Sequence, residues 1–227
     1  QAFFNKEEGV KKIFTETGAG QWGSSLAFAG QMFGIDIEVF MVKVSFDQKP
    51  YRKLMMQSFG GTCHPSPSEL TDFGKKLLAK DPNNPGSLGI AISEAIEAVV
   101  KSEGKAKYAL GSVLGHVLLH QTINGNEAIL QMEQAGDYPD IIVGCTGGGS
   151  NLAGLMFPFL GQQLRGGQKI DIIGCEPLSC PSFTKGKYAY DHGDMARMTP
   201  LIKMHTLGSD FLPPANHSGG LRYHGMS

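Results

Sequence analysis

The chain has 227 residues, 41% of them hydrophobic and 18% charged, with a formal net charge of −1. This is enough apolar material for one large or two small domains, without the basic excess that would hold nucleic acid or an anionic membrane. Four cysteines with no C-x-x-C pair argue against a disulfide scaffold or a zinc ribbon, and no apolar run approaches the roughly 18–20 residues that cross a bilayer.

Ile13-Phe14-Thr15-Glu16 predicts a short strand ending in a glycine turn, followed by a small-residue helix over Ser24 to Phe33. Residues 35–42, IDIEVFMV, predict a buried strand. Asp47 is an N-cap candidate for a helix to Ser58, which Phe59-Gly60-Gly61 ends. A short strand around Thr62-Cys63-His64 precedes a helix expected to open at Pro67-Ser68-Glu69 and run to Lys80. Asp81 to Gly86 is a loop. Ile90 to Lys101 predicts a helix with Ile92, Ala95, Ile96 and Val99 on one face. A long helix is expected over His116 to Gln134, weakened in the middle by Asn124-Gly125. The pattern then repeats: strand Asp140 to Gly144, glycine turn, helix Ser150 to Leu164, strand Ile170 to Gly174. Strands alternating with helices predict parallel α/β units. Cys145 and Cys175 follow apolar runs and are expected as buried strand-end residues. Beyond about Pro177 the chain is expected to be loop-rich, with His205, His217 and His224 as surface residues; Asp191 and Asp194 flank a turn.

Two motifs carry chemistry. Gly147-Gly148-Gly149-Ser150-Asn151 follows a strand and opens a helix, so backbone N–H groups, the helix N-terminus and the Ser150 hydroxyl converge on an anion. No Gly-Lys-Ser/Thr follows, so it is not a Walker loop. The bland reading is a tight strand–helix turn. Thr15 to Gly23 repeats the design: free N–H groups after Thr17, with Thr17 and Gln21 as side-chain donors, suit a carboxylate, and Glu16 is a carboxyl at the same rim. A lone strand-end Glu is more often solvated or capping. Two anion cups together suit a ligand with two anionic ends, such as an amino acid joined to pyridoxal 5′-phosphate. His116 and His120 have the i, i+4 spacing of metal ligands but lack an H-E-x-x-H frame, which favours helix-face histidines.

The run Glu16-Thr17-Gly18-Ala19-Gly20-Gln21-Trp22-Gly23 resembles the E-T-G-A-G-Q-[HW]-G signature of tryptophan synthase β chains, and Gly147 to Asn151 resembles their phosphate loop. Trp22, the segment Met41 to Arg52, His116-Val117-Leu118-Leu119-His120-Gln121 and Gly220 to Met226 are similar to the divergent second branch of that family. The resemblance covers essentially the whole chain. It implies an α/β fold-type-II pyridoxal-phosphate enzyme with two three-layer domains, residues 1–116 with a mobile communication region and residues 117–227 with the phosphate loop. It further implies Glu16 as the catalytic carboxylate, Thr17, Gly18, Ala19, Gly20 and Gln21 as the substrate-carboxylate loop, and Gly147, Gly148, Gly149, Ser150, Asn151 and Gly220 at the cofactor. L-serine and indole would be the substrates, in a cytoplasmic homodimer with room for an α subunit and a monovalent cation. Arg222 departs from the main branch, which has an aspartate there that helps close the site. The lysine that anchors the cofactor in that family lies in a His-Lys-x-Asn motif absent here. It is expected just ahead of Gln1, so the chain reads as an internal piece. A serine or threonine deaminase, another β-replacement enzyme and a non-catalytic pyridoxal-phosphate or phosphate-binding module are the alternatives.

Overall fold

The computed structural model describes residues 1–216, 218 and 220–226. A short helix α1 (Ala2–Glu7) leads to strand β1 (Lys12–Thr17), helix α2 (Gln21–Phe33), strand β2 (Asp36–Val42), helices α3 (Lys43–Gln48) and α4 (Pro50–Ser58), and strand β3 (Thr62–Ser66). Helices α5 (Asp72–Lys80) and α6 (Leu88–Lys101) precede a three-residue strand β4 (Lys107–Ala109). The four strands form one parallel sheet in the order β3-β2-β1-β4.

Side chains alternate across a sheet, and this alternation builds three layers. Ile13, Ile37, Val39 and Met41 pack with Leu26 and Ala27 of α2 and Met56 of α4. Phe14, Phe40 and Val42 face the other way, against Leu88, Ala91, Ile92 and Ala95 of α6. Each such fully buried large side chain contributes about 1.5–3 kcal/mol of transfer free energy.

A second unit follows, with helix α7 (Gly115–Ala135), strand β5 (Ile141–Cys145), helix α8 (Ser150–Leu164) and strand β6 (Asp171–Cys175). β5 and β6 pair in parallel, and Ile129, Ile142, Phe159 and Ile170 form their core. Asn124-Gly125 does not interrupt α7. A Cβ on Gly125 would stand 2.3 Å from the Leu155 carbonyl oxygen, so the glycine marks where α7 and α8 touch.

The region expected to be loop-rich holds more structure than that. Helix α9 (Ser182–Lys185) is followed by strands β7 (Lys187–His192), β8 (Leu201–Thr206) and β9 (Gly225–Met226) in an antiparallel sheet, β7-β8-β9. Met204 and Tyr223 join the core around Phe14 and Phe40. Short strands interrupted by glycine and proline carry little periodicity, which is why they read as loop.

Other expectations are corrected. The helix over 47–58 is split at Pro50, which opens α4 at its first turn, because proline has no N–H to donate and disfavours helix in the residue before it. The helix expected from Pro67 starts at Asp72, capped by the Thr71 hydroxyl accepting from the Gly74 N–H at 3.0 Å. The residues before it are held as a loop by buried Glu94, whose carboxylate accepts from the Ser68 N–H, the Ser68 and Thr71 hydroxyls and the Ser66 hydroxyl. Cys145 and Cys175 are exposed. They stand in register on β5 and β6, on the face turned away from that core, with Ile141, Val143 and Ile173 largely open beside them. The buried cysteines are Cys63 and Cys180. His224 is buried, its Nε2 2.9 Å from the His192 carbonyl oxygen, and His205 lies in β8 against Tyr188. His217 and Gly219 lie outside the described residues.

Candidate active site

The first glycine loop joins β1 to α2. Gly20 is left-handed, with φ +95°, and a Cβ there would stand 2.7 Å from Arg52 Cβ, so both backbone and space require glycine. Gly20, the residue before α2, supplies no side-chain cap, so the helix N-terminus looks outside that residue for acceptors. Thr17 is buried on the α2 face, its hydroxyl oxygen accepting from the Gly23 N–H at 3.2 Å, while Gln21 is exposed at the helix start. Gly18 and Ala19 are half-buried between them.

Glu16 points to the opposite face from Thr17, the side of Phe14 and Phe40, and is 1% exposed. Its Oε2 accepts a hydrogen bond from the Tyr108 hydroxyl, and its Oε1 accepts from the Gly111 N–H at 3.3 Å. Burial pushes the Glu16 pKa up to about 7, against the opposing pull of the Tyr108 and backbone donors. The same burial, followed by the charge of Glu16, holds the Tyr108 phenol well above its usual range. Glu16 is therefore a carboxyl able to exist in either form near neutral pH.

The second glycine loop joins β5 to α8. Gly149 is left-handed, φ +99°, and no side chain caps α8. A Cβ on Gly148 would fall 2.0 Å from Ser112 Oγ and 2.8 Å from Val113 Cγ2. The Ser112 and Ser150 hydroxyls approach to 3.4 Å. Asn151 is exposed at the second position of α8. Val113 is itself held at φ +73°, an uncommon conformation for a β-branched residue.

The two loops meet. A Cβ on Gly18 would stand 3.2 Å from Gly220 Cα, and one on Gly147 would stand 3.4 Å from the Gly220 carbonyl oxygen and 3.1 Å from Leu221 Cδ2. Gly220, itself left-handed at φ +102°, thus lies in the seam between both loops. Arg222 fastens this segment. It is 2% exposed and donates to the carbonyl oxygens of Gly86 at 2.9 Å, Pro213 at 3.1 Å, Asn216 at 3.3 Å and Pro214, with Nε unpartnered among the described residues. Tyr223 beside it is buried and donates to the Gly193 carbonyl at 2.8 Å.

Sequence reasoning missed Tyr108, Gly111 and Ser112, which tie Glu16 to the second loop. Their signal was a third strand-then-glycine pattern, Tyr108-Ala109-Leu110-Gly111-Ser112, hidden because the strand has only three residues. The donor set of the second loop suits a phosphate monoester: an uncapped helix N-terminus, two hydroxyls and glycines where a Cβ would fill the cradle. Among the described residues no group of three His, Cys, Asp or Glu could hold a metal ion, and no helix is long and apolar enough to cross a membrane.

Residues 2–215 match the family model described as pyridoxal-phosphate dependent enzyme. Tryptophan synthase beta chain 2 of Thermotoga maritima is 61% identical over all 227 residues, which cover 53% of that protein. The protein of the same name from Aeropyrum pernix is 58% identical over the whole chain, covering 51% of its length. The chain thus spans about half the length of these curated relatives. Among solved structures, a threonine deaminase from T.th. superposes with a TM-score of 0.61 at 16% identity, over 96% of this chain and 56% of that one, a likeness of fold. With a matching family model over nearly its whole length and parallel α/β units, the chain belongs to the pyridoxal-phosphate dependent enzyme family.

Proposed function

We propose that the protein is a tryptophan synthase β chain, joining L-serine and indole to give L-tryptophan and water. One observation carries the reading: the two glycine loops abut through Gly220 while Glu16 is buried at the end of β1. A ligand with a phosphate at one end and a carboxylate at the other would span the loops, with its reacting centre near Glu16. The names of the 61% and 58% identical relatives support the same activity.

In this reading the α8 N-terminus, Gly147 to Asn151 and the Ser112 hydroxyl hold the cofactor phosphate, with Gly220 beside the ring. Gly18 to Gln21 orient the substrate carboxylate through backbone N–H groups, and Thr17 supports that loop through Gly23. Pyridoxal phosphate, when bound, supplies an electron sink for the charge that develops beside the amino-acid nitrogen. Glu16 in its acid form delivers a proton to the departing serine hydroxyl oxygen; as carboxylate it then accepts the indole N–H proton. The reading keeps the division into residues 1–116 and 117–227. The relatives' designation as beta chains motivates an α-subunit partner, and family resemblance motivates a homodimer, a monovalent cation and a cytoplasmic setting.

The test is product analysis of the full-length protein loaded with pyridoxal phosphate and given L-serine with and without indole. Tryptophan formation is expected. Pyruvate and ammonia with no tryptophan would make it a deaminase. Retained cofactor with neither product would make it a binding module.

A further inference from the structure

A carboxyl that must give and then accept a proton needs both of its forms within reach at the working pH. Burial alone opposes this, because it favours the neutral acid. Something in the protein must favour the charged form in return, and one side chain does so directly.

We infer that Tyr108 is a positioning residue for the proton-transfer step, its hydroxyl and the Gly111 N–H together fixing the Glu16 carboxyl and stabilising its ionised form. The inference rests on the role proposed for Glu16. Its geometry starts from the register: Tyr108 is level with Phe14 across β1 and β4, so Tyr108, Phe14 and Glu16 share one face of the sheet. The long tyrosine side chain then reaches along that face to Glu16 Oε2, while Gly111, three residues on, supplies the N–H to Oε1. Both carboxyl oxygens are thereby held by one short segment.

That segment is itself locked. The Thr15 hydroxyl donates to the Ala109 carbonyl at 2.5 Å, the Trp22 indole donates to the Thr15 hydroxyl at 2.7 Å, and the Trp22 ring lies against Gly111 so closely that a Cβ there would meet Cγ at 2.3 Å. The donors therefore do not have to be ordered when Glu16 ionises. The other charged or titratable groups in this neighbourhood are Tyr223, from the segment before β9, and Asp194, from the loop after β7. Asp194 is satisfied by the Ser93 and Thr199 hydroxyls and the Met198 and Thr199 N–H groups, and the Tyr223 hydroxyl donates to the Gly193 carbonyl. Both are thus engaged elsewhere, and either in charged form would oppose the ionisation of Glu16. Tyr108 is the side chain that favours it.

The experiment follows the Glu16 carboxylic-acid stretch by isotope-edited infrared spectroscopy of the full-length protein, with the band assigned by its loss in Glu16→Gln. Tyr108→Phe keeps the ring and removes the donor. The Glu16 midpoint should rise by about one to two pH units, the size of one hydrogen bond to a charged group, and the ionisation limb of kcat/KM should rise with it. Tyr223→Phe, which removes a hydroxyl bonded elsewhere, should move the midpoint far less. An unmoved band in Tyr108→Phe, or an equal shift in Tyr223→Phe, overturns the inference. The titration does not depend on turnover, so failure of the proposed activity would show separately, as normal turnover in Glu16→Ala.

Discussion

The two strand–glycine–helix units of this chain share a backbone design and differ in what surrounds it. In each, a parallel strand runs into glycines, and the residue before the helix is a left-handed glycine, Gly20 or Gly149, which offers the helix no side-chain cap of its own. Around the first, β1 lies in the interior of a four-stranded sheet covered on both faces, and a buried acid stands four residues before the left-handed glycine. Around the second, the position four residues before the left-handed glycine is Cys145, and the hydroxyls of Ser112 and Ser150 lie beside the loop. A helix N-terminus can hold an anion in either setting. Among the described residues, the first setting adds a carboxyl, Glu16, that its enclosure lifts toward neutral pH. In the proposed reading both copies of this local structure hold an anion, and the first adds proton transfer.

The largest effect is expected from putting an acid in the other loop. Gly148→Asp in the full-length protein should abolish cofactor binding, measured by absorbance titration and equilibrium dialysis. A Cβ there already meets Ser112 at 2.0 Å, and a carboxylate facing a phosphate adds like-charge repulsion on the order of several kcal/mol. Unchanged affinity would reduce the second loop to a turn. Removing the acid from the first loop tests the other half. Glu16→Ala should retain the cofactor and lose about 10²–10⁴-fold in tryptophan formation per folded, loaded molecule. If Glu16 were only a local cap, its loss would cost about 0.5–2 kcal/mol of stability and leave turnover intact.

Both loops were legible in the sequence, because glycine runs between an apolar strand and a helix have few other uses. Strands β1, β2, β5 and β6 were legible from apolar runs, and α6 from its apolar stripe. The partners of Glu16 were not, since Tyr108 and Gly111 reach it only through the pairing of β4 with β1, a contact 92 residues apart in the chain for Tyr108. Pairing of strands across such separations leaves no local pattern. The break at Pro50 has a local signal, since proline within an expected helix is a boundary mark in its own right. Cys145 and Cys175 were misplaced because apolar runs do not say which face of a sheet is covered.

Within the second unit, a glycine also sets the contact between helices. Gly125 in α7 faces backbone, with the Leu155 and Gly154 carbonyl oxygens at 2.3 and 2.8 Å from a Cβ. Gly125→Ala should therefore destabilise the second unit by about 1–3 kcal/mol through overpacking, beyond the roughly 1 kcal/mol that alanine gains in a helix interior. Urea unfolding of the variant measures it. A stabilised variant would mean that α7 and α8 can separate without loss.

The smallest expected effect lies at the strand starts, where the two sheets differ again. In the first sheet Glu38 of β2 bridges Lys12 of β1 at 2.7 Å and His64 of β3 at 2.9 Å, with the Glu38 side chain 19% exposed. In the second sheet the corresponding ion pair is Lys169 with Asp171, 3.8 Å apart and 84% and 69% exposed. The His64 and Lys12 hydrogen bonds hold the Glu38 carboxyl down at about 2 despite partial burial. A carboxyl whose folded pKa lies below its unfolded value contributes stability that is fully present above the unfolded value, about 4.5 here. That contribution is lost as pH falls from there toward about 2. Discounted for solvent screening, it is on the order of 1 kcal/mol. Glu38→Gln should therefore lower the urea midpoint at about pH 7 and flatten the loss of stability between about pH 4.5 and 2, whereas Asp171→Asn should do neither. Equal effects of the two substitutions would show that enclosure by neighbouring strands does not distinguish the two ion pairs.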